Sequence, residues 1–456
     1  MVSGSSTLAV LALNSEQECH RMETKLADFI ADTPAGREAE AILRRCVHCG
    51  FCTATCPTYQ ILGDELDGPR GRIYLIKQML EGGQTSRETM RHLDQCLTCR
   101  NCETTCPSGV QYGRLVDIGR EVVEQRVSRP TIQKLTRGLL REGLTSPWFA
   151  PAFRLGQSVR GLLPKVLASK LPQVRSVGVL PQTAHHTRQV IGLKGCVQPT
   201  MVPTIDAATT RVLDRLGIGV ITPSTGGCCG AIRHHLADGQ GALQDARRNI
   251  DAWWPLIAEN RVEAIVVNAS GCGVMVKDYG HLLADDPAYA DKARRVSDLA
   301  RDPIELIEPM LSQLQEQLTQ GQKSSGSLPA ASASRVAYHP PCTQQHGLKI
   351  KGAVERLLQA LGATCLPVAD SHLCCGSAGT YSVLQPALAS ELKSRKLAAL
   401  GAHQPQMILS ANVGCITHLE SGSDIPVRHW LEWLDERLHA VAANQTLGSS
   451  RDMDAR

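Results

Sequence analysis

Two closely spaced cysteine runs are the strongest constraint on how this 456-residue chain can fold. Residues 46–57 read C-x₂-C-x₂-C-x₃-C-P, and residues 96–107 repeat the same pattern. Three thiolates at this spacing wrap one face of a cubane, while the fourth cysteine of the motif ligates the other cluster. The two runs therefore predict one compact unit that holds two [4Fe–4S] clusters.

The crossing of the fourth cysteine assigns a ligand set to each predicted cluster. The first set consists of Cys46, Cys49, Cys52 and Cys106. The second set consists of Cys96, Cys99, Cys102 and Cys56. A pair of zinc sites is the alternative, but zinc normally takes two C-x₂-C pairs rather than triplets followed by proline.

Eight further cysteines form two later groups that repeat each other. The first group is Cys196, Cys228, Cys229 and Cys272, and the second is Cys342, Cys374, Cys375 and Cys415. In both groups the first two cysteines are 32 positions apart, which indicates an internal duplication. Each group is a candidate metal or cluster site. A thiol redox pair and a set of small buried side chains are the other interpretations, and the residues leave the metal open.

Short apolar segments that end just before these cysteines alternate with helical segments, as at residues 189–193 and 336–339. This alternation predicts parallel βαβ units, in which ligands gather at the carboxyl ends of the strands. We name the two units CCG units, after their Cys-Cys-Gly sequence. The predicted fold class is mixed α+β and α/β: a helical two-cluster ferredoxin-like domain followed by two duplicated βαβ CCG units.

The cysteine groups and the composition between them divide the chain into five predicted segments. They are a leader over 1–40, the ferredoxin-like domain over 41–125, a basic connector over 126–188, and CCG units over 189–320 and 335–440. A Gly- and Ser-rich linker around 321–327 separates the CCG units. We expect residues 1–21 to be dispensable, because a polar, helix-compatible segment begins at Met22.

The basic connector has two interpretations. Residues 129–175 contain nine lysines or arginines and one acidic residue, Glu142. They could attach to an anionic membrane surface or an acidic partner, with apolar contacts from Trp148, Phe149, Phe153 and Leu155. Alternatively, the apolar residues pack on the CCG units while the charges face water.

The composition also restricts the compartment and the partners. Eighteen cysteines without an export signal favour a reducing compartment, so we expect a cytoplasmic protein. The net charge of +4 gives no reason to expect a nucleic-acid partner. Peripheral attachment to the inner face of the inner membrane is compatible with the basic connector.

The combination of these domains resembles the iron–sulfur subunits of bacterial glycolate oxidases (glycolate dehydrogenases). Residues 46–60, 63–72, 251–255 and 370–381 carry the resemblance, which covers about residues 40–435. It implies that FAD-containing partner subunits oxidise glycolate to glyoxylate. This chain would take the electrons and pass them towards quinone, with no catalytic residues or substrate site of its own.

The CCG units also resemble those of heterodisulfide reductase-type proteins, whose fuller pattern ends in C-x₂-C. Here Ala269 and Asn412 stand where the first cysteine of that ending would be. Two alternatives therefore stay beside the glycolate oxidase interpretation. One is the cluster subunit of an anaerobic glycerol-3-phosphate dehydrogenase, and the other is a heterodisulfide reductase-like enzyme.

Overall fold

The computed structural model describes residues 22–158, 161, 175–182, 186–324 and 334–439. These residues form a helical unit, two helices of the connector, and two parallel sheets flanked by helices. The predicted fold class is thereby confirmed. Residues 1–21 and parts of the predicted connector and linker lie outside the described residues.

The first unit is built from helices. They span Asp28–Ala31, Pro34–Leu43, Phe51–Ala54, Pro57–Leu62, Pro69–Leu80, Arg87–Asp94, Asn101–Thr105 and Tyr112–Arg126, with a 3₁₀ turn at Glu65–Asp67. The helix Pro69–Leu80 between the two cysteine runs begins at Pro69, whose fixed φ suits a first helical position. Its side chains Ile76 and Leu80 pack with Leu43 and Leu115 in the core of the unit.

Residues that precede the predicted domain boundary at 41 also pack into this core. Ile30 and Ala39 are buried in it, and Met22 packs against it. The Thr33 hydroxyl caps helix Pro34–Leu43 by accepting a hydrogen bond from the Gly36 N–H at 3.0 Å. The packed unit therefore starts before residue 41.

Each CCG unit contains a four-stranded parallel sheet. In the first unit the strands are β1 Arg188–Gly192, β2 Ile218–Ile221, β3 Ala264–Val266 and β4 Ala300–Arg301, in the order β2-β1-β3-β4. In the second they are β5 Arg335–His339, β6 Thr364–Cys365, β7 Met407–Ser410 and β8 Val427–His429, in the order β6-β5-β7-β8. The register repeats as well, because Val190 pairs with Ala264 and Val336 pairs with Met407. The predicted duplication is confirmed.

Helices connect these strands and cover both sheets. The first CCG unit has helices at Gln198–Met201, Thr204–Arg215, Ala231–His235, Gly239–Ala258, Ser270–Lys277, Tyr279–Leu282, Ala290–Leu299, Pro303–Ile307 and Leu311–Ser324, and a 3₁₀ turn at Glu308–Met310. The second has a π-helical turn at Thr343–Gly347 and helices at Ala353–Ala360, Tyr381–Leu384, Pro386–Gly401, Val413–Glu420 and 430–439. Gly217 and Gly362 follow two of these helices with φ of 74° and 90°, which glycine adopts without strain.

The two CCG units share one hydrophobic core. Leu213 of the first unit packs in the same buried cluster as Leu357 and Trp430 of the second. Across the same boundary, the buried Thr204 hydroxyl donates to the Glu432 carboxylate at 2.6 Å. The duplicated units therefore pack together as one structural unit rather than as two separate domains.

The first unit docks on both CCG units through polar contacts. Arg100 donates to Asp278 of the first CCG unit at 2.8 Å. The Tyr381 hydroxyl of the second CCG unit donates to the Gln95 carbonyl at 3.0 Å. These contacts place the cysteine loops of the first unit against the carboxyl ends of the CCG strands.

The connector forms the helices Thr131–Thr145 and Phe149–Ser158. Arg129 is buried and pairs with Asp94 and Glu124, so part of the positive charge faces the protein. Five large apolar side chains instead face solvent with 67% to 79% of their surface exposed: Ile132, Leu135, Leu139, Trp148 and Leu155. We name these five residues the apolar strip. For them, the interpretation in which the apolar side chains pack on the CCG units is wrong.

The described helices include no segment that is both long and apolar enough to cross a bilayer.

An ion pair at the boundary between the first unit and the first CCG unit should make the stability of the protein depend on pH. Nε2 of His234 lies 3.3 Å from Oδ2 of the half-buried Asp117, and His235 lies beside it. Burial lowers the pKa of His234, but attraction and hydrogen bonding to Asp117 outweigh it, so the pKa is raised. Stability from such a group is fully present below the unfolded pKa, about 6.5, and is lost as the pH rises through the folded pKa.

We therefore expect His234→Gln to lower the thermal midpoint more at about pH 6 than at about pH 8.5, where the imidazole of the unchanged protein is losing its proton. Differential scanning fluorimetry at both pH values measures the difference. His403→Gln is the control, because His403 is exposed. An equal loss at both pH values would contradict the ion pair.

Candidate metal centres

The first predicted ligand set lies around one cavity. Cys46, Cys49, Cys52 and Cys106 all line it, together with Arg70. Burial raises the pKa of the Cys52 thiol to about 11, and the neighbouring sulfurs of Cys46, Cys106 and Cys49 add to this effect. Four converging thiols are a donor set that fits a [4Fe–4S] cluster, whose iron would remove the cost of gathering them.

The second predicted set also lies together. The pKa of the Cys102 thiol is raised well above its usual value, mainly by burial and then by the nearby sulfurs of Cys99, Cys96 and Cys56. Cys56, the last cysteine of the first run, thus lies with the second run. Cys106, the last cysteine of the second run, lies with the first. This is the crossing that the spacing predicts, and the ligand assignment itself stays a prediction.

Both cysteine loops bend the backbone in the same way. His48 and Thr98 occupy equivalent positions with φ of 53° and 51°, and Gly50 and Arg100 do so with φ of 85° and 58°. A left-handed conformation is uncommon for residues other than glycine and concentrates at functional sites. The repeated geometry is therefore a property of the thiol sites and not of one loop sequence.

Two buried arginines hold these loops in place. Arg72 donates to the His92 carbonyl at 2.7 Å and to the Thr58 hydroxyl at 3.1 Å. One guanidinium nitrogen of Arg120 donates both to the Cys96 carbonyl at 2.6 Å and to the Leu93 carbonyl at 3.0 Å. The sequence reasoning did not single out these residues, because an arginine has no spacing signal of its own.

The thiols of the first CCG unit also come together. The sulfurs of Cys196 and Cys228 lie 3.4 Å apart, and Cys229 lies beside Cys228 and Cys272. Hydrogen bonds from Cys196 and Cys229 lower the pKa of the Cys228 thiol to about 3. The structure thus brings all four predicted residues of this group to one place.

Buried polar side chains hold the Cys-Cys backbone of this unit. Asn249 donates to the Cys228 carbonyl at 2.7 Å, and the Tyr279 hydroxyl donates to the Cys229 carbonyl at 2.8 Å. Both side chains are buried. The position of the two thiols is therefore set by the helices behind them.

The glycine that follows each cysteine pair is required by its surroundings. Gly230 and Gly376 have φ of 92° and 89°. A Cβ would lie 3.0 Å from the Ala242 carbonyl oxygen at Gly230, and 2.7 Å from the Ala389 carbonyl oxygen at Gly376. Without side chains, both N–H groups reach the first sulfur of their pair at 3.4 Å. This close approach explains the repeated Cys-Cys-Gly sequence.

The second CCG unit gathers a comparable set and adds an imidazole. Its cysteines are buried and in contact in the order Cys342, Cys374, Cys375, Cys415. One ring nitrogen of His339 and the sulfurs of Cys375 and Cys415 lie within 4.8 Å of one another. The sequence reasoning missed His339, although its position three residues before Cys342 was a usable signal.

The thiol sites adjoin each other in a defined order. Cys49 of the first set is exposed, whereas Cys96 and Cys102 of the second set are buried. Cys99 of the second set packs against the buried cluster that contains Cys342 and Cys374. The order therefore runs from the surface, through the second set, to the second CCG unit.

Comparison with known proteins agrees with this domain composition. A family model described as "4Fe-4S dicluster domain" matches residues 42–110, and one described as "Cysteine-rich domain" matches residues 191–277 and 336–420. The chain is 50% identical over 421 residues to the glycolate oxidase iron-sulfur subunit of Escherichia coli (strain K12), covering 91% of this chain and 99% of that protein.

Two further relatives are more distant. A probable glycolate oxidase iron-sulfur subunit of Bacillus subtilis (strain 168) is 30% identical over 417 residues, which cover 85% of this chain and 90% of that protein. Lactate utilization protein A of an Exiguobacterium species is 27% identical over 247 residues, which cover 53% of this chain and 94% of that protein. The resemblance drawn from the cysteine pattern is confirmed.

The buried Arg120 generates a stability prediction. We expect Arg120→Met to lower the free energy of unfolding by about 2–4 kcal/mol, because the Cys96 carbonyl loses its charged donor while the Leu93 carbonyl keeps its backbone donor. Arg44→Met is the control and should cost about 0.5 kcal/mol or less, because Arg44 is exposed and pairs only with Glu40. Urea denaturation followed by circular dichroism measures both, and equal losses would contradict the role of Arg120.

Proposed function

Because this chain belongs to the family of glycolate oxidase iron–sulfur subunits, we propose that it is the electron-transfer subunit of a glycolate dehydrogenase complex. A partner flavoprotein carries the FAD and oxidises glycolate to glyoxylate. This chain takes the electrons and passes them towards quinone. The observation that carries the proposal is the pair of adjoining four-thiol sets, of which one reaches the surface and the other is buried.

Each thiol set has a separate role in this proposal. Cys46, Cys49, Cys52 and Cys106 hold one [4Fe–4S] cluster, and Cys96, Cys99, Cys102 and Cys56 hold the other. Clusters bound there would supply one-electron transfer. The protein adds hydrogen bonds to the sulfurs of the second set. The Thr98 N–H lies 3.4 Å from the Cys96 sulfur, and the Tyr112 hydroxyl donates to the same sulfur at 3.6 Å.

These hydrogen bonds have a direction of effect. A donor that faces a thiolate stabilises the more negative, reduced state, so it raises the reduction potential of the site. Burial opposes this by disfavouring added charge. The more deeply buried second set therefore gains more from its donors than the first set, which reaches the surface at Cys49.

The surface around Cys49 suits the entry of electrons from a partner protein. Phe51 and Val47 flank this cysteine with 62% and 39% of their surface exposed. Exposed apolar side chains of this size are frequent in protein–protein contacts. We propose that the flavoprotein docks here and that electrons then move inward to the second set.

Anaerobic reduction of the purified complex tests the proposed function. Glycolate should reduce the clusters and so lower their visible absorbance, whereas glycerol 3-phosphate should leave the absorbance unchanged. Reduction by glycerol 3-phosphate alone would favour the glycerol-3-phosphate dehydrogenase alternative. Disulfide reduction by the isolated chain would favour the heterodisulfide reductase alternative.

Iron analysis tests the ligand assignment. The two ferredoxin-type sites should account for about eight iron and eight sulfide per chain, and Cys56→Ser should remove about four of each. Cys365→Ser is the control, because Cys365 lies at the edge strand β6 outside the four thiol groups. Total iron near four in the unchanged protein, or zinc in place of iron, would overturn the assignment.

We further propose that the apolar strip attaches the complex to an anionic membrane surface. Lys134 and Arg154 are exposed beside the strip, and the combination of apolar and basic side chains is typical of interfacial helices. Arg137 lies 3.6 Å from Asp94 and Arg141 lies 2.8 Å from Glu142, so part of their charge is neutralised within the chain. Apolar contact is therefore expected to contribute more than charge.

Vesicle sedimentation checks this attachment. Replacing Ile132, Leu135 and Leu139 together with glutamine should weaken binding to vesicles containing phosphatidylserine by at least about tenfold. Val383→Gln is the control, since Val383 is exposed outside the strip. Vesicle binding that is unchanged in low salt, where surface attraction is least screened, would contradict attachment of the strip to a membrane. So would a triple variant that loses the flavoprotein but still binds vesicles.

A further inference from the structure

A buried imidazole that has one nitrogen without a partner lies beside the thiols of the second CCG unit. His339 ends strand β5 and is fully buried. Among the described residues, its Nε2 has no hydrogen-bond partner. A ring nitrogen of His339 and the sulfurs of Cys375 and Cys415 lie within 4.8 Å of one another. Buried polar groups in proteins are nearly always satisfied, so this nitrogen calls for a partner.

The partner of the other ring nitrogen determines what kind of group Nε2 can bind. Nδ1 of His339 lies 3.0 Å from the Ser410 hydroxyl oxygen. That hydroxyl donates its single proton to the His339 carbonyl at 3.0 Å, so it can only accept from Nδ1. Nδ1 therefore carries the ring proton, and Nε2 presents a lone pair. A histidine fixed in this way is the usual arrangement of a metal ligand.

The first CCG unit lacks both residues. The strand register places Val190 opposite Ala264 and Val336 opposite Met407. Continuing both registers equates His339 with Leu193, and Ser410 with Val267. Leucine and valine can neither bind a metal nor orient a ligand. The imidazole and its hydroxyl partner therefore occur together in one copy of the duplicated unit and are both absent from the other.

We propose that the second CCG unit holds an iron centre ligated by Nε2 of His339 and by the thiolates of Cys375 and Cys415. Cys374 and Cys342 are the remaining thiols in contact with this group and complete its donor set. Mixed thiolate and imidazole ligation is established chemistry for iron–sulfur centres, in which histidine raises the reduction potential relative to cysteine.

Two polar side chains around the site fit a negatively charged centre. Asn412 donates its amide N–H to the Cys415 sulfur at 3.4 Å, from the position where the fuller CCG pattern has a cysteine. Lys396 is buried, donates to the Asp370 carbonyl at 2.7 Å, and interacts electrostatically with Cys342, Cys375 and Cys374. A buried cation is stable beside thiolates that retain negative charge.

The ligand set does not depend on which metal binds. The choice of iron over zinc rests on the proposed electron relay. Cys99 of the second ferredoxin-type set packs against the buried cluster that contains Cys342 and Cys374. A redox-inert ion at this point would end the path of the electrons within the protein. An iron centre extends the path into the second CCG unit, and its histidine makes it the more readily reduced end.

Pulsed electron paramagnetic resonance of the full chain, reconstituted anaerobically with ferrous iron and sulfide and then reduced, tests the histidine. We expect nitrogen modulation from a directly bound imidazole, and its pattern should change when histidine is labelled with ¹⁵N. His339→Leu, which copies Leu193 of the first unit, should abolish it. His48→Ala should leave it intact, although His48 lies beside the first ferredoxin-type set.

A second variant separates ligation from packing. His339→Cys should retain the iron, lose the nitrogen modulation, and lower the reduction potential of the centre. The absence of histidine modulation in the unchanged protein would overturn the proposal, as would stoichiometric zinc at this site. In both cases the signals of the two ferredoxin-type clusters would persist, so the failure differs from a failure of the proposed function, in which those signals would be missing.

Discussion

Convergence of thiols is the constraint on which the rest of this structure depends. Sulfurs that ligate one cluster must approach closely, and without metal their burial and mutual repulsion strongly disfavour the thiolate form. The pKa of Cys102, raised by burial and by three neighbouring sulfurs, expresses this cost directly. Left-handed residues at the loop bends and buried arginines behind the loops hold the thiols in place before any metal binds. Metal binding then contributes to folding as well as to function.

The same constraint explains what could be predicted from sequence. Cysteine spacing is dictated by the size of a cluster and by the reach of the chain, so the four groups of thiols could be predicted without a structure. Strands β1 and β5 carry apolar runs and were predicted to within one residue. The outer strands β4, β6 and β8 have only two or three residues, which is too short for a period to appear. Their pairing is decided by the neighbouring strand.

Tertiary contacts decided the features that sequence could not predict. In the connector, the basic and apolar residues alternate at helical spacing, and this pattern alone does not say which face meets the protein. The pairing of Arg129 with Asp94 and Glu124 turns that helix so that Ile132, Leu135 and Leu139 face outward. His339 was missed for a similar reason. A buried histidine after a strand is unremarkable until the fold brings Ser410 and two thiols to its ring.

The interleaving of the two cysteine runs has a consequence for how the protein is made. Cys106 lies with Cys46, Cys49 and Cys52, so the first thiol set contains residues that leave the ribosome 60 positions apart. Cys56 lies in the same way beside the thiols of the later run. The second set is complete only after Cys102 has been synthesised, and the first set only after Cys106. Both sets therefore become complete within a few residues of each other, and a nascent chain that ends between the two runs contains only an incomplete form of each.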